Sequence, residues 1–158
     1  MTDDQRQAFT IRITTANPTE MVVVLYDITL AYIDDMQKSI GAKDHNEVKT
    51  YAAKIRACIT ELMNSLTLEY EISGNLMSLY RFCLRELVKA ELRLSDMELQ
   101  NIKNVILPLR DSYIEVAKQN TAGPLMGNTQ TVVTGMTYGK TDVETHVNDH
   151  SASRGFYI

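Results

Sequence analysis

The chain of 158 residues is 44% hydrophobic and 23% charged, which is typical of one domain with a substantial core and excludes a wholly disordered protein. It has no stretch of about 18 apolar residues, and residues 1–7 are polar and acidic, so we expect neither a membrane span nor a secretory signal. Its net charge of −4, without any run of Lys or Arg, disfavours nucleic-acid binding. Cys58 and Cys83 are expected to be reduced core residues of a cytoplasmic protein.

Residues 1–16 are interpreted as an N-terminal strap. In this segment Phe9, Ile11 and Ile13 alternate with polar residues. A period of two is typical of an extended chain with one apolar face, so we expect the strap to be extended and to lie with that face on the helices that follow. Two roles remain open. The strap either completes the core, or it covers a groove and moves when a partner arrives.

Helix signals dominate residues 17–119. Asn17 can cap a first helix, Pro18 suits its first position, and Glu20 completes a capping box. Asn46 is expected to cap the second helix, and Ser95 is expected to cap a last helix with another capping box. Four stretches with helical periodicity cover residues 18–39, 47–65, 73–94 and 96–119. Because the links between them are short, the sequence predicts an all-α protein, an antiparallel four-helix bundle with room for a short extra helix.

More apolar residues are present than four core stripes need. Val23 and Leu30, seven residues apart, fall among the charged positions of the first helix, and Leu107 and Ile114 do the same on the last. Phe82 projects beside charged neighbours on the third helix. Residues seven apart lie on one line along a helix, a pattern that suits a partner helix in a surface groove. Cover by the protein's own tail and self-association remain alternative explanations.

Catalytic and metal-binding patterns are missing from the sequence. A di-iron bundle needs Glu-x-x-His pairs, and none occurs. His146 and His150 have a spacing of four, but they lie in a Gly/Thr-rich segment with no third His or Cys near them. No phosphate-binding loop, nucleophile elbow or Cys–His pairing is visible. We therefore expect a protein that is not an enzyme and that uses no metal or cofactor.

Four segments resemble one known family in the right order. They are T-A-N-P-T-E-M-V-V-V-L-Y-D at residues 15–27, I-T-E-L-M-N-S-L at 59–66, N-L-M-S-L-Y at 75–80 and L-R-D-S-Y at 109–113. Together they are similar to the flagellar secretion chaperone family FliS, over roughly residues 9–119. One departure is Phe9, which stands where the family's strap usually has a tyrosine and so lacks its hydroxyl.

The resemblance implies a cytosolic chaperone of flagellar type III secretion. Such a protein binds the disordered C-terminal segment of flagellin, prevents premature polymerisation and presents the subunit to the export gate. The candidate flagellin-binding residues combine the apolar positions above with family-motif and helix-two positions. They are Phe9, Ile11, Ile13, Leu25, Tyr26, Ile55, Ile59, Leu62, Leu79, Tyr80, Phe82, Leu107 and Ile114. The alternative is a structural or regulatory helical protein that self-associates through its apolar surface, as a homodimer when no partner is present.

Residues 120–158 form a separate segment in composition. They are rich in Thr, Asn and Gly and poor in large aliphatic residues, so a flexible tail is expected. The segment ends in G-F-Y-I, residues 155–158, a short apolar patch. One hypothesis is that this patch docks into the flagellin groove or onto a second partner.

Overall fold

The computed structural model describes residues 1–67, 71–120 and 123–125. Over these residues the protein is all-helical and contains no strand, as predicted. The five helices are α1 (Asp3–Thr15), α2 (Pro18–Gly41), α3 (His45–Asn64), α4 (Glu71–Arg93) and α5 (Asp96–Gln119). The tail predicted at residues 120–158 lies outside the described residues except for residues 120 and 123–125.

The N-terminal segment is a helix, so the prediction of an extended strap is wrong. Thr2 and Gln5 form a capping box at its start, in which the Thr2 hydroxyl oxygen accepts a hydrogen bond from the Gln5 backbone amide at 3.2 Å. Asp3 and Asp4 in the first turn also favour the helix through its dipole. In a helix the apolar residues at 9, 11 and 13 cannot share one face, and 58% of Ile11 is exposed. No residue within α1 is buried, so apolar packing contributes little to holding it in place.

The start of α2 follows the predicted capping box. The Asn17 side-chain oxygen accepts a hydrogen bond from the Glu20 backbone amide at 2.9 Å. The Glu20 carboxylate in turn accepts one from the Asn17 backbone amide at 3.0 Å. Ser95 occupies the N-cap of α5, as predicted, but its side chain makes no capping hydrogen bond, so the capping box expected there does not form. α5 continues through Pro108. The cap of α3 is Asp44, two residues before the expected Asn46, and its carboxylate accepts two backbone amides. Local capping chemistry therefore fixes where α2 and α3 begin.

The helices α2 to α5 enclose one hydrophobic core. α2 packs on α3 and α5, α4 packs on the same two helices, and α1 packs mainly on α2. The two tight links, 42–44 and 94–95, each contain a non-glycine residue with a left-handed backbone, Lys43 (φ 56°) and Leu94 (φ 51°). The largest fully buried side chains come from all four helices and are Tyr26, Ile33, Met36, Val48, Ile55, Ile59, Leu62, Tyr80, Leu87, Leu99, Ile102 and Ile106.

Candidate binding surface

The predicted flagellin-binding residues divide into a buried and an accessible set. The buried set has at most 1% of its surface exposed and consists of Tyr26, Ile55, Ile59, Leu62 and Tyr80. Phe9, Ile13, Leu25, Phe82 and Ile114 are half-buried, and Ile11, Leu79 and Leu107 are exposed. The buried set therefore packs within the core and has almost no accessible surface in this conformation.

Two of the motif tyrosines tie α2 to α4. The Tyr26 and Tyr80 hydroxyls are 2.5 Å apart, in the core. Burial, followed by the hydrogen bond to Tyr80, raises the pKa of Tyr26. Burial raises the pKa of Tyr80 to about 12, so both phenols stay neutral at physiological pH. Tyr113 of α5 packs edge-on against Tyr26 with ring centroids 5.7 Å apart, which links a third helix to the pair.

Asp27, next to Tyr26, holds α1 and α5 against α2. Its carboxylate pairs with Arg12 of α1 at 2.6 Å and also with Arg110 of α5. Only 14% of the Asp27 side chain is exposed, and its hydrogen bond is the main cause that raises the pKa of Arg110. In the sequence Asp27 is one of the charged positions of the first helix. The structure makes it the electrostatic link among three helices.

An open groove lies beside Asp27 and its two arginine partners. It runs between α1 and α5, and α2 forms its floor. Its volume is about 410 Å³. The apolar lining is Ala16, Val23, Val24, Ile114 and Ala117, and the polar rim is Arg12, Thr15, Glu20 and Lys118. We call it the α1–α5 groove. An apolar floor with a charged rim suits an amphipathic helix.

A second groove lies at the same end of the helices, where the α3–α4 link meets α2 and α5. Its volume is about 260 Å³. It is lined by Pro18, Thr19, Val22, Ser65, Leu66, Thr67, Ile72, Ser73, Leu76, Tyr80 and Tyr113. We call it the end groove. Tyr113 lines the end groove and Ile114 lines the α1–α5 groove, so the two grooves flank the C-terminal part of α5.

The sequence of the chain matches the family described as "Flagellar protein FliS" over residues 1–120. The chain belongs to the FliS family. The match includes α1, which the motif-based resemblance covered only from residue 9. No curated protein matches the sequence. Membership implies a flagellar export chaperone role in general, and the members of the family are chaperones rather than enzymes.

Within this FliS-family chain, several groove residues were missed by sequence reasoning. Val23 was expected on the outer face of the first helix, yet it is buried and lines the α1–α5 groove. Its neighbour Val22 lines the end groove. Adjacent helical residues point in different directions, so the run of three valines at 22–24 could have indicated apolar surface on more than one side of α2. No comparable sequence pattern indicated that Leu66 and Ile72 line a groove.

Two further observations on this FliS-family chain concern membrane-spanning helices and metal ions. No helix in residues 1–67 and 71–120 is long and apolar enough to cross a membrane. Among the described residues no three His, Cys, Asp or Glu side chains are grouped so as to hold a metal ion.

Proposed function

We propose that this protein is a cytosolic export chaperone that binds the disordered C-terminal segment of flagellin. In this role it prevents premature polymerisation and assists flagellar type III secretion, with the export gate as a further partner. We also propose that α2 to α5 form an antiparallel four-helix bundle. The observation that carries the proposal is the pair of apolar grooves that flank the C-terminal part of α5.

The grooves suit a segment that is disordered when free. Such a segment pays an entropic cost when it orders, so it needs contacts spread over a long surface. The α1–α5 groove is extended along α5 by Leu107, which is 42% exposed and seven residues before Ile114. The end groove is extended along α4 in the same way, from Ile72 to exposed Leu79. These two lines supply apolar contacts over several helical turns on both sides of α5.

The proposed contact set therefore differs from the one that the sequence suggested. It retains Ile11, Leu79, Leu107 and Ile114, with half-buried Phe9, Ile13, Leu25 and Phe82 as neighbours at the edges. It adds the groove residues Val22, Val23, Leu66, Ile72 and Ala117. The core residues Tyr26, Ile55, Ile59, Leu62 and Tyr80 shape the helices that carry this surface rather than contact flagellin themselves.

The test measures binding of a flagellin C-terminal peptide by calorimetry to two single variants. Leu107→Asp changes an exposed residue of the α1–α5 groove line, and Leu79→Asp does the same for the end groove line. We expect each to weaken binding about tenfold, equivalent to roughly 1.4 kcal/mol, as loss of a well-packed apolar contact does. Thermal unfolding should stay nearly unchanged, because both side chains are exposed.

Leu92→Asp is the matched control, because Leu92 is 80% exposed and lines neither groove. It should bind the peptide like the parent protein. If all three variants bind equally well, the grooves are not the flagellin site. If the parent protein itself ignores the peptide, the proposed client is wrong.

Self-association is a second candidate, and one observation favours it. Leu92, Met97 (66% exposed) and Val88 present apolar side chains near the α4–α5 link, away from both grooves. A surface of this kind could pair with a second copy of the chain. Size-exclusion chromatography with and without the flagellin peptide separates the candidates. A stable dimer that ignores the peptide favours self-association, and a one-to-one complex favours the chaperone.

A further inference from the structure

The chain that follows α5 returns to the rim of the α1–α5 groove. The Asn120 side-chain amide first donates to the hydroxyl of Thr19, an end-groove residue at the start of α2, at 2.7 Å. Further on, the backbone amide of Leu125 donates to the carbonyl oxygen of Ala16 at 2.7 Å. Ala16 is itself part of the groove lining. Residues 126–158 therefore begin next to an open apolar groove.

The composition of residues 126–158 singles out one candidate occupant. This segment is rich in Thr and Gly, and its other apolar residues, such as Val132, Val133 and Tyr138, are single or small. Phe156, Tyr157 and Ile158 are its only run of three large apolar side chains. A linker of this length has a root-mean-square span of about 30 Å, which is enough to bring these three residues back to the groove.

We propose that the α1–α5 groove is the docking site of this chain's own residues 156–158. The apolar floor, which includes Val23, Val24 and Ile114, takes the Phe and Ile side chains. The rim supplies Arg12, Glu20 and Lys118 as hydrogen-bonding partners for the Tyr hydroxyl and the peptide groups. Because the occupant is tethered to the groove's edge, its effective concentration is about 1 mM.

A consequence for the client rests on the proposed function. If flagellin uses the same groove, the chain's own end competes with it. A contact of three side chains with a Kd of roughly 0.1–1 mM, at that effective concentration, weakens client binding about two- to tenfold. Truncation after residue 125 should therefore tighten flagellin binding by that factor.

The docking itself is tested without flagellin, by methyl NMR of the intact chain. The methyl signals of Val23, Val24 and Ile114 report on the groove. They are expected to shift on truncation after residue 125 and to shift in the same direction in the double variant Phe156→Ser/Tyr157→Ser. Dilution should leave the parent spectrum unchanged, because the contact is within one chain.

The matched control is Tyr138→Ser, which removes an aromatic ring from the middle of the same segment. It should leave the groove methyls unchanged. The proposal is overturned if the truncated chain and the intact chain give identical groove signals. It is also overturned if Tyr138→Ser reproduces the truncation, or if the shifts disappear on dilution, which would indicate a second copy.

Peptide affinities then separate this proposal from the proposed function. If truncation shifts the groove methyls and tightens flagellin binding, both stand. If truncation shifts the groove methyls but leaves the flagellin affinity unchanged, the docking of residues 156–158 stands and their competition with flagellin is overturned. If the flagellin peptide binds no variant, the proposed function fails, and the methyl shifts alone decide the docking.

Discussion

The buried pair of tyrosine hydroxyls supplies the sharpest test of how the core is held. Replacing Tyr26 with Phe removes one hydroxyl and leaves that of Tyr80 buried without the partner that stands 2.5 Å away. An unsatisfied buried hydroxyl costs about 1–3 kcal/mol, and the same range applies to Tyr80→Phe. For a chain of this size 1 kcal/mol corresponds to about 4 °C in Tm, so each single variant should lose about 4–12 °C.

The double variant separates the hydrogen bond from the loss of two polar atoms. With both hydroxyls gone no buried donor or acceptor is stranded, so the double variant should cost clearly less than the sum of the singles. The coupling energy from the cycle should be roughly 1–2 kcal/mol. Urea unfolding of the four proteins, followed by circular dichroism, measures all the required free energies.

Tyr113→Phe is the control, because the structure assigns its hydroxyl no hydrogen bond among the described residues while its ring packs on Tyr26. It should change the free energy of unfolding by less than about 0.5 kcal/mol. Strictly additive costs for Tyr26→Phe and Tyr80→Phe would refute the idea that the pair acts as one unit. Near-neutral single variants would show that water or another group satisfies the remaining hydroxyl.

Three further predictions concern pH, charge and backbone strain. The pKa of Tyr80 is raised to about 12 in the folded state. The unfolded phenol titrates near pH 10, so the contribution of Tyr80 to stability should be complete below about pH 10 and be lost as the pH rises towards 12. Unfolding titrations near pH 11 should show a loss of about 1 kcal/mol in the free energy of unfolding. Asp27→Asn removes the charge that pairs with Arg12 and Arg110, so the free energy of unfolding should fall by about 1–2 kcal/mol. Hydrogen exchange of the α1 backbone amides should become faster. Unchanged exchange would mean that contacts other than this ion pair hold α1 in place. Lys43→Gly relieves a left-handed backbone at an exposed position (φ 56°), and a gain of about 0.5–1 kcal/mol is expected in chemical unfolding, whereas a loss would show that the strain is negligible.

Helix positions were largely predictable, because the chemistry that starts a helix is local. Asn17 and Glu20 satisfy each other's backbone amides within one turn, so four residues contain the whole signal. The start of α3 was misplaced by two residues because Asp44 and Asn46 are both good caps. The N-terminal segment shows the limit of periodicity. Its period-two pattern predicted an extended chain, but the capping box of Thr2 and Gln5 stabilises a helix instead.

The candidate site was less predictable, because a motif identifies a family without revealing what each residue contacts. Tyr26 and Tyr80 belong to two of the four motifs that carry the resemblance, yet they pair with each other in the core. Leu107, which helical periodicity placed outside the main apolar stripe of its helix, is exposed, and so is Leu79, which was a candidate only through its family motif. Val23 was assigned to the outer face, but α1 and α5 approach that side of α2 and leave only a groove.

The sequence by itself determined the all-helical class, the helix starts at residues 17 and 95, and the family. Each of these depends on residues close together in the chain, or on an order of motifs that needs no knowledge of contacts. Only the tertiary structure decided which apolar side chains are core and which line grooves, and it made Asp27 a link among three helices. Burial and ion pairing depend on neighbours that are distant in the sequence, as Asp27 and Arg110 are at 83 positions apart. Helical periodicity describes only one helix at a time.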